Sequence, residues 1–407
     1  MSQDIPETTS PGGTESTSQD IPETTSPRLT ALHAVHESLG AHFTDFGGWQ
    51  MPLKYGSELA EHRAVREAAG LFDLSHMGEV RVSGAVAGAF LDFALVGRLS
   101  AVAVGRAKYS LLCAEDGGII DDLIVYRLAE DDYLVVPNAG NTATVVAALD
   151  ERAGAFIALG ERSGRADVTV HDASAETSLI AVQGPRAEEI LLRMLSAEDG
   201  ARAGGLRYYS CVPATVAGRA ALVARTGYTG EDGFELFVDN ASAPAVWSAL
   251  AEAGEGTGLL PCGLACRDSL RLEAGMPLYG NELSREISPY EAGLGGVVAL
   301  AKEGDFVGRA ALQQQKDDGV GTTSGRRLVG LQGLSRRAAR SHYAVLRDGR
   351  PVGEVTSGQP SPTLGHPVAL AYVPVELSAP GTQLDVDLRG RPESFEVVAL
   401  PFYRRQK

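Results

Sequence analysis

The chain has 407 residues, 44% of them hydrophobic, and a formal net charge of -16 at pH 7. That is enough apolar material for a large core split over two or three domains, and no apolar run approaches the roughly 18 residues of a membrane helix, so a soluble, cytoplasmic protein is expected. The acidic balance argues against nucleic acid, whose binding needs a basic stripe that displaces phosphate counterions.

Residues 1–27 are a separate material. SQDIPETTSP occurs at Ser2–Pro11 and again at Ser18–Pro27, with no Lys, no Arg and no apolar stretch. This predicts a disordered tail, unlike a basic presequence or a signal peptide with its apolar middle. From Arg28 the spacing of Leu29, Leu32, Val35 and Leu39 predicts a helix stopped by Gly40. Asp45 to Gly56 reads as an irregular loop, and Ser57 as the cap of a second helix ending near Gly70. Leu71 to Gly84 reads as loop into strand, followed by a helix near Ala85–Val96, a hairpin, a strand at Tyr133–Val136 and a helix opening at Asn141. Strands and helices mixed in runs predict an α+β fold with mixed or antiparallel sheets.

The hairpin carries the first chemistry. KYSLLC and IIDDLIVYR flank Glu115-Asp116-Gly117-Gly118, which is turn chemistry. A turn pairing Glu115 with Gly118 sets Leu111 opposite Asp122 and Tyr109 opposite Ile124. Asp122, Ile124, Tyr126, Leu111 and Tyr109 then share one face. Either Asp121 and Asp122 merely flank a turn, or Asp122 is a carboxylate set among phenols. In RTGYTGEDGFELFV, Glu235 shares a strand face with Phe237. That face is either solvent, with Glu235 on an edge, or a pocket in which a carboxylate could take a ring N–H and an adjacent amine of a flat heterocycle. Arg267 and Arg271 lie at i and i+4 of a helix, as either surface partners of Asp268 and Glu273 or, for one of them, an inward clamp for a ligand carboxylate. His76 is either a general base or a packed residue. Cys262 and Cys266 are read as small buried side chains at i and i+4 of that helix. With Cys113 and Cys211 they are expected to be free thiols in a reducing compartment, and no spacing of His or Cys matches a zinc site.

FGGWQMPLKY, GLFDLSHMGE, GGIIDDLIVYR, QGPRA, RTGYTGEDGFE, CRDSLRLEAGMPLYGNEL, DFVGRAAL, TSGQPSPTLG and PFY follow one another in order. Together they resemble the T-protein family, the aminomethyltransferases of the glycine cleavage system. The resemblance implies an enzyme that takes an aminomethyl group from the lipoyl arm of H-protein to tetrahydrofolate as cosubstrate. It would release ammonia, leave 5,10-methylenetetrahydrofolate, use no metal, and serve with glycine decarboxylase and dihydrolipoyl dehydrogenase. It also implies an essential aspartate at Asp122, a pterin-binding glutamate at Glu235, an arginine at or near the folate's glutamate end at Arg267, and folate-lining or substrate-contacting tyrosines at Tyr109, Tyr126, Tyr228 and Tyr403. An alternative is a folate-binding accessory protein without transferase activity, but those relatives carry KGCYxGQE where this chain has MPLYGNEL. A flavin-containing demethylating oxidase would need a GxGxxG unit near its start, which this chain lacks.

The expected organisation is a folate-binding region at 28–312 in two subdomains, a polar linker at 313–325 and a small antiparallel β-barrel at 326–407. Arg336, Arg337, Arg340 and Arg347 form a basic group on that barrel, either a docking patch for an acidic carrier or a solvated rim.

Overall fold

The computed structural model describes residues 27–160 and 167–405; the repeat tail expected at 1–27 lies outside them apart from Pro27. An 11-stranded sheet runs through the larger part of the chain. Its ladders are antiparallel except where Leu259–Pro261 runs parallel to Ala69–Asp73. Alternation explains why it is buried on both faces. Phe234, Leu236 and Val238 point into a core covered by the helices Ala187–Leu192 and Ala243–Ala253. Leu123, Val125 and Val135 do the same beneath Ala87–Ala94 and Thr142–Gly160. The other face, with Tyr126, Leu134, Val136 and Phe237, closes around an inner cluster that borders the cavity described below. The α+β expectation is met.

The hairpin holds the predicted register. Leu111 pairs with Asp122 and Tyr109 with Ile124, while a bulge at Leu112/Cys113 shifts the closing pair from the expected Glu115–Gly118 to Ala114–Gly118 and so lengthens the turn by one residue. Gly117 sits at φ 88°, a conformation that costs glycine nothing. Ser57 caps Glu58–Glu67 through a bond from the Ala60 amide.

Four expectations change. The first helix spans only His33–Ser38, so Leu29, Leu32 and Leu39 all lie outside it; Leu29 and Leu39 are exposed, Leu32 is buried at the N-cap, and the buried residue within the helix is His36. The loop at Asp45–Gly56 is largely a two-stranded hairpin, His42–Phe46 with Trp49–Lys54, turned by Gly47 and Gly48 at positive φ. Ala69–Asp73 is a fully buried strand, and such continuous burial erases the alternation by which strands are recognised. The polar stretch Gln313–Asp317 is the end of the helix Arg309–Asp317, which buries Leu312.

Six antiparallel strands between Arg326 and Val398 close into a barrel around Leu331, Val355, Ala371 and Phe395. Of the barrel arginines, Arg337 pairs with Glu393, Arg340 donates to Gly358 O and Arg347 to Gln383 O. No helix of the described residues is long and apolar enough to cross a membrane.

Candidate active site

The inner face of the sheet bounds a cavity of about 540 Å³. The hairpin, the strand Gly233–Asp239, and the helix Leu264–Glu273 with the Met276–Tyr279 segment that follows it all contribute walls. Asp122 Oδ2 accepts from Tyr109 OH at 3.0 Å and Oδ1 from Asn138 Nδ2 at 2.8 Å. Burial raises its pKa, and these two bonds oppose the rise because they favour the carboxylate. Asp121 points the other way and is buried. It accepts from Asn138 N and from the amides of Asn138 and Asn141 at 2.7–2.9 Å. Burial and then the charge of Asp122 push it up to about 7. Asn138 thus ties the two aspartates together.

Glu235 lies elsewhere on the same wall. Its Oε2 accepts from Thr226 Oγ1 at 2.6 Å and, longer, from Tyr126 OH at 3.4 Å, and those two hydroxyls share a 3.0 Å bond. Among the described residues no hydrogen bond reaches Oε1. Burial raises the pKa of Glu235, while the Arg267 guanidinium is one of the influences lowering it. Arg267 stacks over the Tyr228 ring at 4.8 Å and makes no salt bridge among the described residues. Tyr228 OH donates to Pro277 O. The two arginines of the helix therefore divide. Arg267 takes the cavity, whereas Arg271 is buried against Glu282 at 2.9 Å, Asp268 at 2.8 Å and Ser357 of the barrel at 2.7 Å.

Asp122, Glu235, Arg267, Tyr109, Tyr126 and Tyr228 all line this one cavity. Tyr403 does not. Its backbone N–H is held by Glu273 O at 2.8 Å and its ring lies 4.1 Å under Arg66, so it belongs to the seam with the barrel. Glu273 is not an arginine partner within its own helix; it pairs with Arg66 at 2.8 Å and His62 at 3.2 Å. Cys262 follows the strand Leu259–Pro261 and only Cys266 is helical, though both are buried free thiols. His76 lies on the cavity wall, edge-on to Phe46 at 5.3 Å. Burial and the charge of Arg267 hold its pKa down to about 4, so it is neutral at pH 7. Asn138 is a site residue that motif and spacing do not single out. Its one signal is a Pro-Asn pair directly after the apolar strand Asp132–Val136.

The chain matches the GCVT N-terminal domain over residues 32–302 and the glycine cleavage T-protein C-terminal barrel domain over residues 326–404. It belongs to the glycine cleavage T-protein family. The aminomethyltransferase of Streptomyces avermitilis is 58% identical over 381 residues, covering 93% of this chain and 98% of that one. That of Geobacillus kaustophilus is 45% identical, over 93% of this chain and all of its own length (100%). The crystal structure of glycine cleavage system aminomethyltransferase T from Bartonella henselae superposes with a TM-score of 0.81 at 35% identity, covering 93% of this chain and 99% of that chain. As a T-protein family member the chain is an aminomethyltransferase of the glycine cleavage system, in a family of tetrahydrofolate-dependent transferases.

Proposed function

We propose that the cavity holds tetrahydrofolate beside the aminomethyl-lipoyl arm of H-protein, and that Asp122 acts on the carbon in transit. The observation that carries this is Asp122 itself, a carboxylate fixed between Tyr109 and Asn138 on an otherwise largely apolar wall. In the transfer the carbon–sulfur bond breaks, the lipoyl sulfur leaves as a thiol, and the carbon becomes iminium-like. Folate nitrogens form two bonds to it and ammonia departs. A carboxylate in a dry cavity stabilises the positive carbon and can take the proton shed by the attacking nitrogen.

Glu235 is the candidate for the pterin edge. Oε2 is occupied by Thr226, and Oε1 is left for a donor from outside the chain. A ring N–H and the neighbouring exocyclic amine supply the paired donors that a carboxylate binds best. Arg267 lies close enough to Glu235 to favour its ionised form, which supports a place nearer the pterin than the glutamate tail of the folate. Tyr109, Tyr126 and Tyr228 complete the walls, so the larger contribution of the protein is orientation. Tyr403 acts at most indirectly, by covering Arg66. On this reading residues 28–312 hold the folate and residues 326–407 brace them. The partners are the lipoylated H-protein and, through it, glycine decarboxylase and dihydrolipoyl dehydrogenase of a cytoplasmic system.

The test is ammonia release from aminomethylated H-protein with and without tetrahydrofolate. Release that depends on folate supports the assignment. Folate binding with no release would favour the accessory-protein reading.

A further inference from the structure

A second cleft, of about 790 Å³, opens on the same face of the sheet. Tyr126, Val136 and Glu235 line the first cavity; Leu128, Leu134 and Phe237, each two residues away on the same strands, line the second. Residues two apart on a strand share a face, so the two are neighbouring hollows along one curved wall.

The charge at this cleft is one-sided. Among the described residues, Glu79, Asp132, Glu176 and Asp239 line it with a single cation, Arg81, which is already paired with Asp132. Asp239 is held by the Ser242 amide and hydroxyl. Glu79 differs from the others. Its backbone is pinned, the N–H to Ser174 Oγ at 2.9 Å and the C=O by the Ala173 N–H at 2.8 Å. Its side chain is only 1% exposed, yet neither carboxyl oxygen has a hydrogen-bond partner among the described residues. Buried carboxyls that serve the fold are not left this way. Glu61 takes three backbone amides, those of Tyr55, Gly56 and Gly263. Leaving a buried polar group unmatched is costly and calls for a partner from elsewhere.

We propose that this cleft binds a small organic cation, an ammonium or amidinium head on an apolar body, with Glu79 receiving the head. Leu134, Leu222 and Phe237 offer the floor for the body. The acidic rim favours a cation and repels an anion. Burial, and then the charge of Asp172, raise the pKa of Glu79 well above the usual carboxylate range, which favours the protonated acid in the free protein. When the cation enters, the acid gives that proton to solvent and the ion pair forms; charge and atoms balance as one proton released per ligand bound.

Benzamidine and phenethylamine are the probes, with benzyl alcohol as the uncharged control, in calorimetric titrations of the full chain in phosphate and in Tris. The expected result is saturable binding of both cations but not the alcohol, close to one proton released, and affinity that rises with pH. Asp132, Glu176, Asp239 and Arg81 line the same cleft as Glu79, Asp172 is the charge that acts on it, and His171 lies opposite Arg81 on the adjoining strand. Glu79→Gln therefore decides which group gives up the proton. It should abolish the release and weaken binding by more than about tenfold, as expected when a buried charge pair loses one partner. Val104→Trp, at an exposed rim position, should weaken binding while Glu79 stays in place, and it keeps the test open should Glu79→Gln fail to fold. Ammonia release should be unchanged in Val104→Trp. No saturable cation binding, equal binding of the alcohol, or binding without proton release would overturn the proposal.

Discussion

Two buried polar constellations lie within one helix of each other and are built on opposite terms. At the seam with the barrel, Glu273 accepts from Arg66, His62, Ser361 and Thr363, while Arg271 is matched by Asp268, Glu282 and Ser357. Nearly every donor and acceptor there has a protein partner, Glu282 Oε1 being an exception. In the cavity, Glu235 Oε1, the Arg267 guanidinium and His76 Nδ1 have no protein hydrogen bond among the described residues. Matched charges fasten two parts of a fold, whereas unmatched ones are held ready for a ligand. The same distinction separates Glu61 from Glu79.

Substitutions should therefore split into those that change activity and those that change stability. Asp122→Asn should lower turnover by ~10²–10⁴, the usual effect of losing a positioned acid or base, measured as steady-state ammonia release at saturating folate. Arg271→Leu should cost about 3–5 kcal/mol of stability, because it strands Glu282 in the interior; denaturant unfolding reads this, and the folate affinity of the folded fraction should be kept. Glu235→Gln should weaken tetrahydrofolate by about 1.5–3 kcal/mol, the worth of a charged hydrogen bond, read by fluorescence titration. The last effect is on pH. Glu273 is held down at about 2 by His62, Ser361 and Arg66 against the opposing effect of its burial. A depressed acid stabilises the fold above its unfolded value and loses that contribution as pH falls through the folded one. Unfolding followed from pH 5 downward should thus show stability declining between about 4.5 and about 2, and Glu273→Gln should flatten that decline.

The cavity is more legible in the sequence than the seam, for physical reasons. The hairpin register follows from a local glycine turn and two-residue alternation, so the order of residues alone puts Asp122 and Tyr109 on one face. Glu235 follows in the same way, from the turn ahead of a short strand. The strand Ala69–Asp73 leaves no such trace, because it is buried on both sides. The seam is harder to read because, apart from the local bonds of Arg271 to Asp268 and Glu282, its bonds join residues about 90 to 300 apart, as His62 with Ser269 and Thr363. That distance also hides the true position of Tyr403, whose motif resembles the family's while its neighbours in space come from far along the chain. Asn138 needs the third strand of the sheet to come alongside the hairpin before it can bridge two aspartates.

The proposed division, chemistry at Asp122 and folate binding at Glu235, calls for single-turnover ammonia release and tetrahydrofolate dissociation constants measured side by side for the wild type, Asp122→Asn and Glu235→Gln. The expected result is a double dissociation, with Asp122→Asn slow to release ammonia at nearly normal folate affinity, and Glu235→Gln weak in binding but recovering most of its rate at saturating folate. Equal losses of affinity in the two variants, or an Asp122→Asn protein that releases ammonia at the wild-type rate, would contradict it.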